Sequence, residues 1–189
     1  MTADPAAAEP APLRRPLLLT GPPSAGKSAV AAVLVAARPL CAVVEVDDLR
    51  GLVRSGAVDP WRPGAGEGQH RLAAVQGCLL AASFVAAGVE VVLCDVVRGA
   101  VSRVYRTATA QPVLVALRVP AGMARARPSG RRVPLTGPEA DALHAESAAV
   151  RDVDAEVDAE GTLADVAARV QAVWAAAGDV RPTGPLSPR

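Results

Sequence analysis

Aromatic side chains are scarce in this chain of 189 residues, and so is lysine. Aromatics make up 2% of the sequence, as two Trp, one Tyr and one Phe. This shortage excludes the aromatic platforms on which most single-strand nucleic-acid binders stack bases. The formal net charge of +1 excludes the basic footprint expected for DNA or an acidic membrane surface. The sequence therefore predicts no nucleic-acid partner and no membrane, and it favours a small molecule as ligand.

Cysteine is sparse as well. Cys41, Cys78 and Cys94 are widely spaced, and no C-x-x-C pair occurs. An odd, scattered set of thiols is typical of a reducing compartment rather than of a disulfide framework or a zinc site. Residues 1–13 lack the basic start and apolar run of a signal peptide. We therefore expect a cytoplasmic protein, and the sequence leaves its oligomeric state open.

Short apolar runs alternate with longer alanine-rich stretches along the chain. The predicted strands are Pro16–Thr20, Ala42–Val46, Val89–Cys94, Val113–Val119 and Ala155–Asp158. The predicted helices are Lys27–Ala37, Gln69–Ala87, Ser102–Thr109, Pro138–Val150 and a last one that a Thr162–Asp165 capping box opens. This alternation predicts an α/β fold in which a parallel sheet of about five strands has helices on both faces.

Proline-rich ends bound one predicted domain at residues 14–177. Residues 1–13 and 178–189 are predicted to be disordered tails. Within the domain, the Pro- and Gly-containing residues 51–68 are the predicted acceptor segment. Residues 125–137, with four arginines, are predicted to form a small mobile lid.

Gly21-Pro-Pro-Ser-Ala-Gly-Lys-Ser28 matches the phosphate-loop pattern G-x-x-x-x-G-K-[ST]. It directly follows the first predicted strand and opens a helix, which is the context that phosphate binding requires. In this pattern Lys27 reaches the β- and γ-phosphates and the Ser28 hydroxyl binds Mg²⁺. The residues predicted to bind the nucleotide are Gly21, Pro22, Ser24, Ala25, Gly26, Lys27 and Ser28.

Lys27 is the one lysine among 20 basic residues, all the others being arginine. It therefore marks a position that needs a compact ammonium rather than a planar guanidinium. The sequence predicts ATP and Mg²⁺ as cofactors, and it leaves GTP open as an alternative donor.

Carboxylates follow two of the predicted strands. Asp47 and Asp48 come after the second strand, and we predict Asp47 as the base that accepts the proton of an acceptor hydroxyl. In a strand, Glu45 and Asp47 would share one face. The alternative is that Asp47 or Asp48 caps the short helix that follows, and for Asp48 capping is favoured over binding the acceptor. The choice of base between the two acids remains open. Asp95, after the third strand, is predicted to lie near Mg²⁺ or the acceptor, with a loop-capping role as the alternative.

Arginines complete the predicted site. In the lid, Arg131 is the predicted catalytic arginine, and Arg127 and Arg132 are predicted to bind the nucleotide; a solvated basic loop is the alternative. Arg50 and Arg98 are predicted to bind the acceptor or to neutralise the nearby acids.

His70 and His144 are expected on helix surfaces. Trp61 either packs on its loop or covers a substrate ring.

The segments PLLLTGPPSAGKS, VEVDDLR and VEVVLCDVVRG, followed by the arginine loop, resemble small P-loop kinases, in particular the chloramphenicol phosphotransferase-like group. That group is related in design to zeta-toxin-type and shikimate-kinase-like enzymes. The resemblance covers most of residues 15–175 and implies ATP-dependent phosphorylation of a small-molecule hydroxyl, with Asp47 as base and Ser28 on Mg²⁺. It makes an antibiotic one candidate acceptor. The chain departs from the group at Cys94-Asp95, where some relatives have paired acids, at the extra acid Asp48, and in residues 51–68.

The rival hypothesis is a P-loop ATPase or nucleotide switch that regulates a partner and has no small-molecule acceptor. The compact length and the position of Asp47 favour the kinase.

Overall fold

The computed structural model describes residues 12–62, 64–126 and 135–181. The strands are Leu13–Arg14 (β1), Leu17–Thr20 (β2), Cys41–Glu45 (β3), Glu90–Cys94 (β4), Val113–Arg118 (β5), Ala155–Asp158 (β6) and Asp179–Val180 (β7). The helices are Lys27–Ala36 (α1), Val46–Arg50 (α2), Ala65–Ala86 (α3), Val101–Arg106 (α4), Ala121–Ala126 (α5), Gly137–Ala149 (α6) and Leu163–Ala176 (α7).

Five of these strands form one parallel sheet in the order β3-β4-β2-β5-β6. The central strand β2 is buried along its whole length, as its uninterrupted Leu17–Leu19 run predicts for a parallel strand covered on both faces. All five strands run in the same direction, so the residues that follow them gather at one edge of the sheet. The predicted α/β fold with a five-stranded parallel sheet is confirmed.

The two faces of the sheet carry separate apolar clusters. Leu17 and Leu19 pack with residues of α1 and α7 on one face, whereas Leu18 packs with residues of α3 and α4 on the other. This division follows from the alternation of side chains along a strand. Helix α3 lies close to the sheet because Gly77 has no side chain: a Cβ there would lie 3.3 Å from a methyl carbon of Leu93. Helices therefore cover both faces, as predicted.

Two predicted boundaries near the carboxyl edge are wrong. The strand predicted to reach Val46 ends at Glu45, and Val46 instead begins α2, where its side chain is buried. The helix predicted from Gln69 begins at Ala65. Its first turn packs tightly on the preceding loop, since a Cβ on Gly66 would lie 2.1 Å from the Asp59 carbonyl oxygen. The packing, which the sequence does not reveal, extends the helix into a glycine-rich stretch.

The predicted tail boundaries also need correction. Leu13 pairs with Val180 and Arg14 with Asp179 in a short antiparallel ladder between β1 and β7. The start of the domain is further tied to α7, because the Trp174 indole N–H donates to the Arg15 carbonyl at 2.7 Å. Neither two-residue strand has an alternating apolar pattern, so only the closeness of the two ends in the fold creates the pairing. The remaining tail residues, 1–11 and 182–189, lie outside the described residues.

No helix in the described ranges combines the length and the apolar composition that a membrane crossing requires.

Candidate active site

The phosphate loop has a backbone that only glycine accommodates at its two key positions. Gly21 has φ +143°, and a Cβ there would lie 2.6 Å from the Leu117 carbonyl oxygen of β5. Gly26 has φ +95° and precedes the first residue of α1. The left-handed conformation at Gly26 turns the chain from the loop into the helix. The pattern glycines are therefore required by conformation and by close packing.

Lys27 lies across this loop. Its Nζ donates hydrogen bonds to the carbonyl oxygens of Gly21 and Pro22, at 3.0 Å each. The ammonium is thus held over the concave side of the loop, next to the N-terminus of α1. A positive charge beside a helix N-terminus is suited to bind phosphate oxygens.

The residues of the loop fit a magnesium nucleotide. Gly26 caps α1 without a side-chain hydrogen bond, and the first turn of that helix contains no acidic residue that would repel an anion. Ser28 is exposed in the same turn and has the hydroxyl that the pattern assigns to Mg²⁺. Among the described residues no group of three or more His, Cys, Asp or Glu forms a metal cage. In nucleotide sites Mg²⁺ keeps waters and uses phosphate oxygens as ligands, so one hydroxyl such as that of Ser28 can be its ligand from the loop.

Asp47 lies in the first turn of α2, at the same edge of the sheet. Its Oδ1 accepts a hydrogen bond from the Arg50 guanidinium at 2.9 Å, and half of its side chain is exposed. Because β3 ends at Glu45, the prediction that Glu45 and Asp47 share a strand face is wrong. The helical spacing of three residues instead places Asp47 beside Arg50.

Asp48 is exposed within α2 and does not cap it. The cap position is Glu45, whose side chain makes no capping hydrogen bond. The capping alternative for Asp48 is therefore wrong.

Asp95 is buried at the end of β4 in a network of three polar side chains. Nε2 of His70 lies 3.0 and 2.9 Å from its two carboxylate oxygens, and the Tyr105 hydroxyl donates to Oδ2 at 2.8 Å. Burial by itself would raise the pKa of Asp95, but the neighbouring His70, the hydrogen bonds and the Lys27 ammonium together lower it. Burial and the adjacent carboxylate hold the pKa of Tyr105 well above its usual value. Asp95 is therefore an ionised carboxylate inside the protein.

His70 was expected on a helix surface, and that expectation is wrong, since the residue is only 4% exposed. The available signal was its spacing on α3. A 3.6-residue period places His70 on the same face as Ala74, Gly77 and Ala81, which are all buried. Tyr105 was missed for another reason: nothing local indicates that its hydroxyl reaches Asp95.

Arg98 connects two parts of the site. Its guanidinium donates to the Pro60 carbonyl at 2.6 Å and to Glu146 of α6 at 2.9 Å, and the residue is 9% exposed. The same segment is held by Gln69, whose amide binds Val58 N–H and the Gly56 carbonyl. The predicted acceptor segment is thus held by two side chains from other parts of the chain, Arg98 and Gln69.

A cavity of about 360 Å³ lies beside the phosphate loop, at the ends of β5 and β6. Its lining residues are Pro22, Arg118, Val119, Pro120, His144, Ala148, Asp158 and Glu160. His144, expected on a helix surface, is half-buried there, with Nε2 2.8 Å from the Val119 carbonyl oxygen.

The predicted lid is described only in part. Arg125 lies at the end of α5 and forms an ion pair with Asp141. Arg127, Arg131 and Arg132 lie outside the described residues, so their predicted contacts with the nucleotide remain predictions.

No protein-family model matches the chain, and no curated protein matches it. Solved structures do. A sugar kinase from Janibacter sp. HTCC2649, in its unliganded structure, has a TM-score of 0.69 at 16% identity, covering 87% of this chain and 96% of its own. A gluconokinase from Sinorhizobium meliloti 1021 has a TM-score of 0.63 at 16% identity, covering 86% and 93%. Shikimate kinase from Aquifex aeolicus has a TM-score of 0.61 at 17% identity, covering 86% and 99%.

This chain has the fold of the P-loop kinases. The likeness spans nearly the whole length of each of these kinases. In this chain the parallel sheet has the strand order β3-β4-β2-β5-β6. At such low identity the comparison identifies the fold and leaves the reaction to the residues of the site.

Proposed function

We propose that the protein is a small-molecule kinase that transfers the γ-phosphate of ATP to a hydroxyl group. The observation that carries this proposal is the phosphate loop, with Lys27 held over it, at the same sheet edge as the Asp47–Arg50 pair. A donor site and a base at one edge are what phosphoryl transfer requires.

The chain's residues divide the work of the reaction. The loop amides and Lys27 bind the phosphates, and the Ser28 hydroxyl would hold Mg²⁺, which would supply positive charge to the transferred phosphoryl group. Asp47 accepts the proton of the acceptor hydroxyl while Arg50 fixes its carboxylate. The hydroxyl oxygen then forms a bond to the γ-phosphorus, the bond from that phosphorus to the β–γ bridging oxygen breaks, and ADP leaves with the bond's electron pair.

The cavity at the ends of β5 and β6 is the proposed place for the nucleotide base. It adjoins the loop at Pro22 and has an apolar wall formed by Val119, Pro120 and Ala148. In this proposal Arg127 and Arg132 bind the nucleotide from the lid, and Arg131 stabilises the charge on the transferred group.

The acceptor lies between Asp47 and the segment that Arg98 holds. Asp48 and Arg50 are the proposed contacts from α2. The matched kinases are named for sugars, gluconate and shikimate, which are polyhydroxylated compounds. The antibiotic acceptor rests on the sequence resemblance alone, so antibiotics form one group of test compounds beside sugars and hydroxy acids.

The test is an ATP-turnover assay against a panel of hydroxyl compounds, with mass spectrometry of the products. The proposal expects slow turnover alone, stimulation by at least one compound class, and a phosphorylated product that Lys27→Ala does not form. Turnover that yields ADP and free phosphate with every compound would overturn the kinase and support the rival ATPase. A protein that binds no nucleotide would overturn both.

A further inference from the structure

We propose that His70 and Tyr105 are positioning residues that fix the Asp95 carboxylate in one orientation on the magnesium side of the phosphate loop. This inference rests on the proposed function, because it assigns the buried network a task in binding the magnesium nucleotide.

The geometry leaves the carboxylate little freedom to rotate. Nε2 of His70 lies 3.0 Å from Oδ1 and 2.9 Å from Oδ2, so this donor straddles the carboxylate. The Tyr105 hydroxyl approaches Oδ2 from a different helix, at 2.8 Å. An ionised carboxylate only accepts hydrogen bonds, so Nε2 of His70 must carry a proton. Two donors from α3 and α4 thus determine the plane of the Asp95 side chain.

The network leaves acceptor capacity in one place. A carboxylate has about four lone-pair sites, two on each oxygen. Oδ2 receives both His70 and Tyr105, whereas among the described residues Oδ1 receives His70 alone. Oδ1 therefore has acceptor capacity that the described residues do not fill, and the proposal assigns this capacity to a water bound to the metal ion.

The surroundings connect the network to the site. Asp95 directly follows β4, which pairs with β2, the strand that leads into the phosphate loop. The Lys27 ammonium is close enough to stabilise the charge of Asp95, and the Asp47 carboxylate is close enough to act on Tyr105. The buried network is therefore coupled electrostatically to the phosphate-binding lysine and to the proposed base.

Stability alone is a poor reason for such a cluster. Replacing buried charged and polar groups by apolar residues of similar volume is often neutral or stabilising. His70, Asp95 and Tyr105 are at most 4% exposed and lie against an otherwise apolar cluster of α3, β4 and α4. A role that requires a rigid, ionised carboxylate explains the presence of these buried polar side chains, whereas packing alone does not.

The test measures ATP affinity with Mg²⁺ and with EDTA, and the ratio of the two values is the magnesium gain. His70→Leu removes the donor, whereas His70→Gln retains an N–H group near the position of Nε2. We expect His70→Leu and Asp95→Asn each to reduce Mg²⁺ affinity about 10- to 100-fold, as the loss of outer-shell partners does elsewhere. His70→Gln should keep most of the magnesium gain, and affinity with EDTA should stay unchanged in both His70 variants. Asp95→Asn removes a negative charge that interacts with Lys27, so this variant is judged only by the ratio of its two affinities.

A double variant makes the assignment specific. If His70 acts through Asp95, adding His70→Leu to Asp95→Asn should cause no further loss. Tyr105→Phe removes only one hydroxyl, and we expect it also to lower the magnesium gain. If His70→Leu does not fold, Tyr105→Phe provides the test in its place.

Folded variants that keep the full magnesium gain would overturn the positioning role while leaving the proposed kinase intact. A wild-type protein that binds ATP with no magnesium gain would also overturn the positioning role. A wild-type protein that binds no ATP would overturn both proposals.

Discussion

Trp61 donates its indole N–H to Oε1 of Glu139 at 3.0 Å, which joins the acceptor segment to the first turn of α6. The other carboxylate oxygen of Glu139 binds the backbone and hydroxyl of Thr136 in the capping box of that helix. Hydrogen bonds from Thr136, and then from Trp61, lower the pKa of Glu139 and keep it ionised. A tryptophan of the acceptor segment therefore contacts the residue that completes the helix cap.

Arg98 also connects the acceptor segment to α6, because its guanidinium binds both the Pro60 carbonyl and Glu146. Its removal should therefore loosen the acceptor segment. In Arg98→Met the Pro60 carbonyl loses a buried donor, which costs about 1–3 kcal/mol. We expect that loss in chemical denaturation, together with faster amide exchange in residues 52–62. The control is Arg103→Met, at an exposed position on α4. Unchanged amide exchange in Arg98→Met would show that the contacts of Gln69 and Trp61 are enough to hold the acceptor segment in place.

Lys27 should tolerate neither alanine nor arginine. Alanine removes the ammonium, and the planar guanidinium does not fit where Nζ lies 3.0 Å from two carbonyl oxygens. Hydrogen bonds to charged groups contribute about 1.5–3 kcal/mol, so ATP affinity should fall about 10- to 100-fold while the melting temperature changes little. Calorimetric titration with ATP measures this. Arg103→Ala, which also removes one positive charge, should bind normally. Normal turnover by Lys27→Arg would contradict the assignment.

Asp47→Asn should lower kcat about 10²- to 10⁴-fold, or about 3–5 kcal/mol, because the amide cannot accept the proton of the hydroxyl. ATP affinity should change little, since Gly26, Lys27 and Ser28 determine it. Asp48→Asn, one residue away and also exposed, is the control: as a proposed acceptor contact that takes no proton, it should raise KM and lower kcat far less. Both kcat and the nucleotide Kd are measured with the acceptor that the panel identifies. A nearly normal Asp47→Asn beside an inactive Asp48→Asn would mean that Asp48 is the base.

The pairing of β1 with β7 should be measurable by truncation. A chain that ends at Gly178 loses Asp179 and Val180, whereas a chain that ends at Arg181 keeps the ladder. We expect the free energy of unfolding of the shorter chain to be about 1 kcal/mol lower, which is the net contribution of one or two hydrogen bonds. Urea denaturation of the two chains gives the comparison. Equal midpoints would mean that the ladder contributes nothing to stability.

The Cys41 thiol should react slowly at ordinary pH. Burial, and next the nearby Glu90 carboxylate, raise its pKa to about 11. The thiolate is the reactive form, and at pH 8 only about one Cys41 thiol in a thousand is deprotonated. Alkylation of the native protein should accelerate about tenfold per pH unit between pH 8 and 10, and Cys41→Ser should remove this phase. A rate that levels off near pH 8.5 would show an ordinary thiol.

The sequence was sufficient for the sheet because its signals are local. Leu17–Leu19 is an apolar run that only a central strand accommodates, and the phosphate loop needs its glycines wherever it occurs. The capping box of Thr162 and Asp165 was likewise predicted, and it begins α7. In each case the residues that determine the structure are neighbours in the chain.

Tertiary structure alone decided how the site is connected. His70 and Asp95 are 25 residues apart and meet because α3 packs across β4; Trp61 and Glu139 are 78 residues apart. The change at Val46 from strand to helix, and the pairing of Leu13 with Val180, also depend on what lies opposite each segment. Periodicity and propensity describe a residue's own element. The partner of a buried polar group depends on the packing of elements that are distant in sequence.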